Sequence, residues 1–445
     1  MNPTSRTRLR ALRVAAPPLA LALALTACTS SSHDGDATKK TAPPEGVVSY
    51  QPQAWSPADS TTALGSKDET IPSVIPEKLH VGAITPITKN DLVTLPGGFG
   101  SLEDGLQVLD PTTGATHSRI VVGPGIWEPV VHAFIGAKPS DPAVLAGEVW
   151  RPRGSRGKAD FTVSTYAGDL LKPDEIKLPD YARLHSRTGS HAVTSDGRYF
   201  VSWDDGLYGL RVIDLKEHKE SGALALRGCG PFTWTVGHDV YSVCQDTREL
   251  VRISIDAQGR PKVAGRAKVL PADFTGARTV GWAADAKQGL LIDAGGDVYL
   301  PDFSHGLPSA PLKPVGNAGR AEGRFADSVI NSTAGSVAVA YTDSAANPDS
   351  AQAGDKSEVV LYAAAAFRSI TVLPLKKLGV TGIAAIAYGY DGKTLYVVGA
   401  GAEKEGRPTQ KVVGVDAATG RVVSSKTIQG ALGDIGGLIT PEAIG

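Results

Sequence analysis

Three arginines, Arg183, Arg278 and Arg324, recur at comparable places along this 445-residue chain, each near the start of a repeated unit. A guanidinium group is a planar fork of N–H donors, so three that converged would form a cationic funnel for a carboxylate or phosphate. Glu128, His185 and Asp327 hold similar positions and complete a candidate ligand-binding set; Trp127, His132, Trp234 and Trp282 stand beside them. The competing reading is structural, since arginines at such places often bridge loops or pair with nearby acids. His185 and His191 flank Ser186-Arg-Thr-Gly-Ser190 and invite a metal or acid–base pair. On one strand, six residues apart, they would share a face but stand ~20 Å from each other. Only a tight loop could unite them, so satisfied structural histidines are expected.

Other chemistries are missing. His80, His117, His132, His218, His238 and His305 do not fall in close metal-ligand spacings, and no metal site is assigned. There is no nucleophile elbow, Walker loop, HExxH or EF-hand loop, so no catalytic residue and no cofactor is assigned. Trp127, Trp150, Trp203, Trp234 and Trp282 could stack on sugars, yet most lie on alternating strand patterns where core packing is the ordinary role. Asp204 and Asp205 would point to opposite faces of a strand and suit a turn before Leu207 better than catalysis.

The elements that must position these residues begin near residue 80. Short strand-like runs alternate there with Gly, Asp and Pro, and helical periodicity is hard to find. One unit, an apolar strand closing on Asp with a turn after it, appears as Leu106-Gln-Val-Leu-Asp110-Pro-Thr-Thr-Gly114 and Val412-Val-Gly-Val-Asp416-Ala-Ala-Thr-Gly420. Looser copies end on Asp214 and Asp256. The aspartate can bond the turn's own backbone, and Gly supplies positive φ. A second unit, Ser195-Asp-Gly-Arg-Tyr-Phe-Val201 and Tyr390-Asp-Gly-Lys-Thr-Leu-Tyr-Val397, is a tight turn followed by an alternating strand. Laid out together they give seven repeats, beginning near residues 83, 126, 182, 228, 277, 322 and 380, each able to hold four short strands. Arg151 to Gly157 and Ser344 to Lys356 read as surface loops.

On these two units, residues 79–445 resemble the seven-bladed YVTN-type and quinoprotein amine dehydrogenase-like β-propellers. The resemblance implies an all-β fold, a seven-bladed β-propeller of four-stranded antiparallel blades, with ligands at the channel mouth. It implies little about activity. Lactonases on this scaffold hold a metal at that mouth, but Glu128, Asp327 and Asn331 alone make no convincing set. In the amine dehydrogenases the propeller scaffolds a separate catalytic chain. The tail Gly430 to Ile439 is expected to pair with the first blade near Leu92 to Val122, removing the sheet edges.

Residues 1–27 read as an export signal: Arg6, Arg8, Arg10 and Arg13, then an apolar run too short to span a bilayer. Leu25-Thr26-Ala27-Cys28 resembles the lipobox of bacterial lipoproteins, which implies acylation of Cys28 and a place on the outer face of the cell membrane. Residues 28–78, rich in Ser, Thr and Pro, read as a solvated tether. Losing the four arginines would move the formal charge from −1 to −5; nothing suggests a nucleic-acid partner. The remaining cysteines, Cys229 and Cys244, read as a disulfide across a hairpin centred between Val236 and Gly237. The expected role is a monomeric binding or scaffold module for a protein partner or small anionic ligand. An extracytoplasmic lactonase-like enzyme, a dehydrogenase subunit or a metal-delivery propeller are the alternatives.

Overall fold

The Asp-and-turn unit folds alike at both ends of the chain. The Asp110 carboxylate accepts hydrogen bonds from the Thr112 N–H (2.8 Å) and the hydroxyls of Thr112 and Thr113 (2.6 and 2.7 Å). Asp416 accepts from the N–H groups of Ala418 and Thr419 (3.2 and 2.8 Å) and the Thr419 hydroxyl (2.7 Å). Gly114 (φ +79°) and Gly420 (φ +67°) each donate their N–H to the aspartate carbonyl at 2.8 Å. Asp214 and Asp256 cap their turns likewise, through the N–H groups of Lys216 and Glu217 and of Gln258 and Arg260. The Asp-Gly turns are formed too, with Gly197 at φ +71° and Gly392 at φ +68°.

The computed structural model describes residues 84–443 except 97–103, 124–129, 152, 154–155, 169–171, 186–188, 282–286, 320–323, 332–334, 343–355, 404–408 and 430–434. All belong to the unit Leu79–Gly445. The expected signal at 1–27, Cys28, the tether, Trp127 and Glu128 lie outside the described residues. For Arg278, Arg324 and Asp327 the backbone alone is described.

The strands form six sheets, antiparallel but for one short pairing, numbered here in chain order. Sheet 1 holds β1 (Leu92–Pro96), β2 (Asp104–Leu109) and β3 (Thr116–Val122). Sheet 2 holds β4 (Val130–Ile135), β5 (Val144–Trp150), β6 (Asp160–Tyr166) and β7 (Asp174–Lys177). Sheet 3 holds β8 (His191–Val193), β9 (Tyr199–Asp204), β10 (Gly209–Asp214) and β11 (Lys219–Ala225). Sheet 4 holds β12 (Thr233–Val236), β13 (Asp239–Cys244), β14 (Glu249–Ile255) and β15 (Pro261–Ala267). Sheet 5 holds β16 (Ala277–Gly281), β17 (Leu290–Asp293), β18 (Asp297–Tyr299) and β19 (Gly316–Asn317).

Sheet 6 begins with β20 (Arg324–Asn331), β21 (Ser336–Thr342), β22 (Lys356–Ala363) and β23 (Arg368–Pro374). After the single turn α1 (Leu375–Leu378) it continues with β24 (Gly382–Tyr388), β25 (Thr394–Ala400), β26 (Gln410–Asp416) and β27 (Val422–Thr427). The all-β propeller expectation holds. The expectation of seven separate blades does not: five sheets of four or five strands stand as discrete blades. Beyond them one backbone pair, Lys356 with Ile383, joins two four-stranded meanders into an eight-stranded sheet.

The tail closes the fold as expected. β28 (Ile435–Ile439) pairs with β1, Val93 opposite Ile439. The sequence offered no sign of β29 (Glu442–Ala443), which crosses to sheet 2 and lies parallel to β4, Glu442 opposite Phe134.

Middle strands such as β9, β10 and β21 are buried on both faces, because each sheet is sandwiched between two others. Outer strands are polar and open to water, as in β11 and β27. The apolar clusters accordingly lie between sheets. Val93 and Leu106 meet Val131 and Val144, Val130 and Phe134 meet Val193 and Phe200, and Leu109 meets Val398 and Ile428 where the ring closes. Among the described residues no helix is long and apolar enough to cross a membrane.

Cys229 and Cys244 are bonded. The hairpin is centred one residue later than expected, between Gly237 (φ +62°) and His238, since Val236 pairs with Asp239. Cys229 precedes β12, where the Gly230 N–H donates to the Val243 carbonyl (2.8 Å) and so brings Cys229 opposite Cys244 despite the shifted centre.

Candidate functional site

Side chains alternate along a strand, so His132 on β4 shares a face with Val130 and Phe134. That face packs on Val193 and Phe200 of sheet 3. His191, first residue of β8, shares a face with Val193, and β4 and β8 are neighbours. The two imidazoles thus approach each other between sheets 2 and 3. His191 is half-buried, with its Nδ1 atom enclosed and its ring 6.1 Å from that of Phe200. Burial, then the nearby positive charges of His132 and His185, push its pKa down from 6.5 to about 3, so it is neutral at ordinary pH.

His185 joins them, against expectation. Its N–H donates to the Trp203 carbonyl (2.9 Å), while His191 pairs with Ser202, so the two histidines flank adjacent residues of β9. The chain between them loops out, closed by a hydrogen bond from the Ser190 hydroxyl to the His185 carbonyl (2.6 Å). A tight loop replaces the continuous strand that would have held them ~20 Å apart.

Nor are these histidines satisfied. His185 Nδ1 lies 2.9 Å from an Asp205 carboxylate oxygen, leaving Nε2 buried without a hydrogen-bond partner in the protein. Nδ1 of His191 is in the same state. Nε2 of His132 lies 3.2 Å from Glu442 on β29, near enough for an ion pair but out of line for a hydrogen bond. Leaving such groups without a partner costs about 1–3 kcal/mol each, so their concentration at one place makes it the candidate site. A neutral imidazole there can accept or donate one hydrogen bond, and the Asp205 carboxylate orients the His185 ring. Among the described residues no group of three His, Cys, Asp or Glu could hold a metal ion.

The cluster sits at the end of the ring where β4, β8, β16 and β20 begin. Arg183 precedes β8 there, exposed and without an acidic partner among the described residues. Its backbone is pinned by the Asp204 carboxylate (2.9 Å) and by the Asp205 N–H (2.8 Å). Arg278 and Arg324 lie at the starts of β16 and β20, so the backbone puts all three arginines at one end of the ring. Asp327 and Asn331, four residues apart on β20, are ~13 Å apart along the strand. Asn331 is buried at the far end and donates to the Gly392 carbonyl. Asp327 and Asn331 are therefore separated along β20, and Glu128, the third of that trio, lies outside the described residues. Of the tryptophans, Trp203 and Trp234 are core as expected, but Trp150 is 37% exposed.

Two buried charges escaped sequence reasoning. Arg211 is 0% exposed, bonded to the equally buried Asp204 and to Glu220. Asp204 also caps the expected turn, accepting from the Gly206 N–H (2.8 Å). Glu148, 2% exposed, has no cationic partner but accepts from the Gly123 N–H (2.6 Å), the Tyr166 hydroxyl (2.6 Å), the Trp150 indole (3.3 Å), and the hydroxyls of Ser164 and Thr162. Alternating Thr162, Ser164 and Tyr166 opposite an acid was the available signal.

No protein-family model matches the chain, and no curated protein matches it. Solved structures do. A protein from Lactobacillus plantarum superposes with a TM-score of 0.51 at 8% identity, over 78% of this chain and 98% of that one. A periplasmic gluconolactonase from Pseudomonas aeruginosa gives 0.46 at 13% identity, over 79% and 99%. A functionally unknown protein from Desulfotomaculum acetoxidans gives 0.45 at 12%, over 80% and 99%. At such identities the likeness concerns fold alone.

Proposed function

We propose that the chain is a lipoprotein, acylated on Cys28 and held on the outer face of the cell membrane, whose propeller binds a small carboxylate or phosphate at the ring's mouth. The observation that carries this reading is the pair of enclosed imidazole nitrogens, His185 Nε2 and His191 Nδ1, that have no hydrogen-bond partner in the protein, beside the exposed Arg183. His185, backed by Asp205, donates to the anion, and Arg183 supplies a charge-assisted fork. Arg278 and Arg324, on strands that begin at the same end of the ring, are the further candidates to meet the anion. Counting the two meanders of sheet 6 as two blades gives seven. Apolar clusters between those meanders and at every other sheet junction support that count.

Calorimetry with inorganic phosphate, citrate and gluconate at pH 5.5 and 7.5 tests the reading. At least one anion binds, more tightly at pH 5.5, and Arg183→Ala or His185→Asn weakens it about tenfold. Absence of binding by all three anions at both pH values would defeat it.

One observation favours a second reading, lactone hydrolysis. The Asp205–His185 pair, with Nε2 left over, is the geometry of an oriented general base. Hydrolysis of δ-gluconolactone above the buffer rate, lost in Asp205→Asn and in His185→Asn, would establish it.

A further inference from the structure

Around the same end of sheets 2 and 3, cations and aromatic rings stand uncovered. Arg151, Arg153 and Arg156, on the connection from β5 to β6, are exposed and have no acidic partner among the described residues. The acids around them are already committed. Asp160 pairs with Lys177 (3.1 Å), Asp180 with Lys158 (2.8 Å), Asp204 with Arg211, and Asp205 with His185. The arginines are therefore in local excess, on a chain whose formal charge is −1.

Three large rings accompany them: Trp150 at 37%, Tyr181 at 59% and Tyr208 at 67% exposure. Contacts between these segments make this one surface. Lys158–Asp180 ties the β5–β6 connection to the segment carrying Tyr181. That segment lies along the end of β9, through Arg183 and Asp204 and through the Asp205 N–H, next to the β9–β10 turn that bears Tyr208. Arg211 sits 5.6 Å beneath the Tyr181 ring and fixes it from below. The hollow beneath it, lined by Gly147, Glu148, Thr162, Ala182 and Leu184, is about 10 Å³, room for one water at most. A small ligand would not be enclosed by this surface, whereas an extended chain could lie across it.

We propose that this rim docks an acidic segment of a partner protein. Carboxylates engage Arg151, Arg153 and Arg156, and apolar side chains between them rest on Tyr181, Tyr208 and Trp150. Arginine, tyrosine and tryptophan are the residues in which binding energy concentrates at protein interfaces. This goes beyond the small-ligand site, and none of the residues tested below belongs to it.

The test is fluorescence anisotropy of the full-length chain with a labelled 20-residue peptide of alternating Glu, Asp and Leu, with 20-nucleotide single-stranded DNA as a second polyanion. The peptide binds at 50 mM NaCl. The triple variant Arg151→Glu/Arg153→Glu/Arg156→Glu weakens it at least about tenfold, and Tyr181→Ala/Tyr208→Ala about fivefold, with melting temperatures unchanged. Equal peptide binding by wild type and both variants overturns the proposal. DNA bound as tightly as peptide, with no effect of the tyrosine variant, overturns it also, because the surface would then be a general polyanion site. Anion binding at His185 is unaffected in either variant, so this proposal and the preceding one fail separately.

Discussion

His191 should govern how the fold responds to mild acid. Its unfolded pKa is 6.5 and burial, reinforced by His132 and His185, holds the folded value near 3. A histidine with a lowered folded pKa stabilises the native state fully above pH 6.5; that contribution is lost as pH falls toward 3, because only the unfolded chain takes the proton. One pH unit across this window is worth about 1.36 kcal/mol. Between pH 7 and pH 4.5 the loss comes to about 2–3 kcal/mol, and about 5 kcal/mol if carried below pH 3. The groups facing His191 are His132 with Glu442 behind it, His185 with Asp205 behind it, and the uncharged ring of Phe200.

His191→Phe removes the titration while keeping a flat ring beside Phe200. Urea unfolding followed by tryptophan fluorescence at pH 7.0 and 4.5, on both proteins, measures the difference. Wild type should lose about 2–3 kcal/mol more than the variant on acidification. The turn aspartates, Asp110, Asp214, Asp256 and Asp416, also have lowered pKa values and cost stability in acid. They are common to both proteins and cancel. Equal losses in the two proteins would refute the assignment of His191 as a buried neutral group.

Reduction of Cys229–Cys244, which closes a 15-residue separation, should lower stability by about 3 kcal/mol without abolishing the fold, read as a lower melting temperature after thiol counting confirms reduction. Glu148→Ala should cost about 3 kcal/mol or more, since the Gly123 N–H and the Tyr166 hydroxyl lose their acceptor. The Tyr166 phenol, now raised by burial and by the Glu148 charge, should titrate lower in that variant, as followed by ultraviolet absorbance. Gly420→Ala should destabilise by more than about 1 kcal/mol, because φ is +67° and the new Cβ would strike Thr371; a urea midpoint equal to wild type would contradict this.

How much was legible follows the range of the forces involved. The Asp110 and Asp416 turns, the Asp-Gly turns and the strands after them were readable, because a carboxylate reaches its own turn's N–H groups whatever the rest of the chain does. The closing pairing of β28 with β1 was readable too, since an unpaired apolar strand at one end of the chain needs an edge at the other. The disulfide partners were forced by composition, although the hairpin centre shifted by one residue to where Gly237 could take positive φ.

The tertiary structure alone decided the rest. Whether His185 and His191 lie ~20 Å apart or flank adjacent residues of β9 depends on a loop whose closure uses Ser190 and β9, not on local spacing. The facing of His132 and His191 needs two sheets, and Glu442 reaches His132 only because β29 leaves sheet 1 for sheet 2. Arg211 and Asp204 are ordinary surface residue types until two neighbouring sheets bury them together. One backbone pair, Lys356 with Ile383, turns two meanders into one sheet. Hydrogen-bonding chemistry is written into each residue and acts within a few positions of it. Which side chains are enclosed, and beside whom, is settled by packing between segments far apart in the chain.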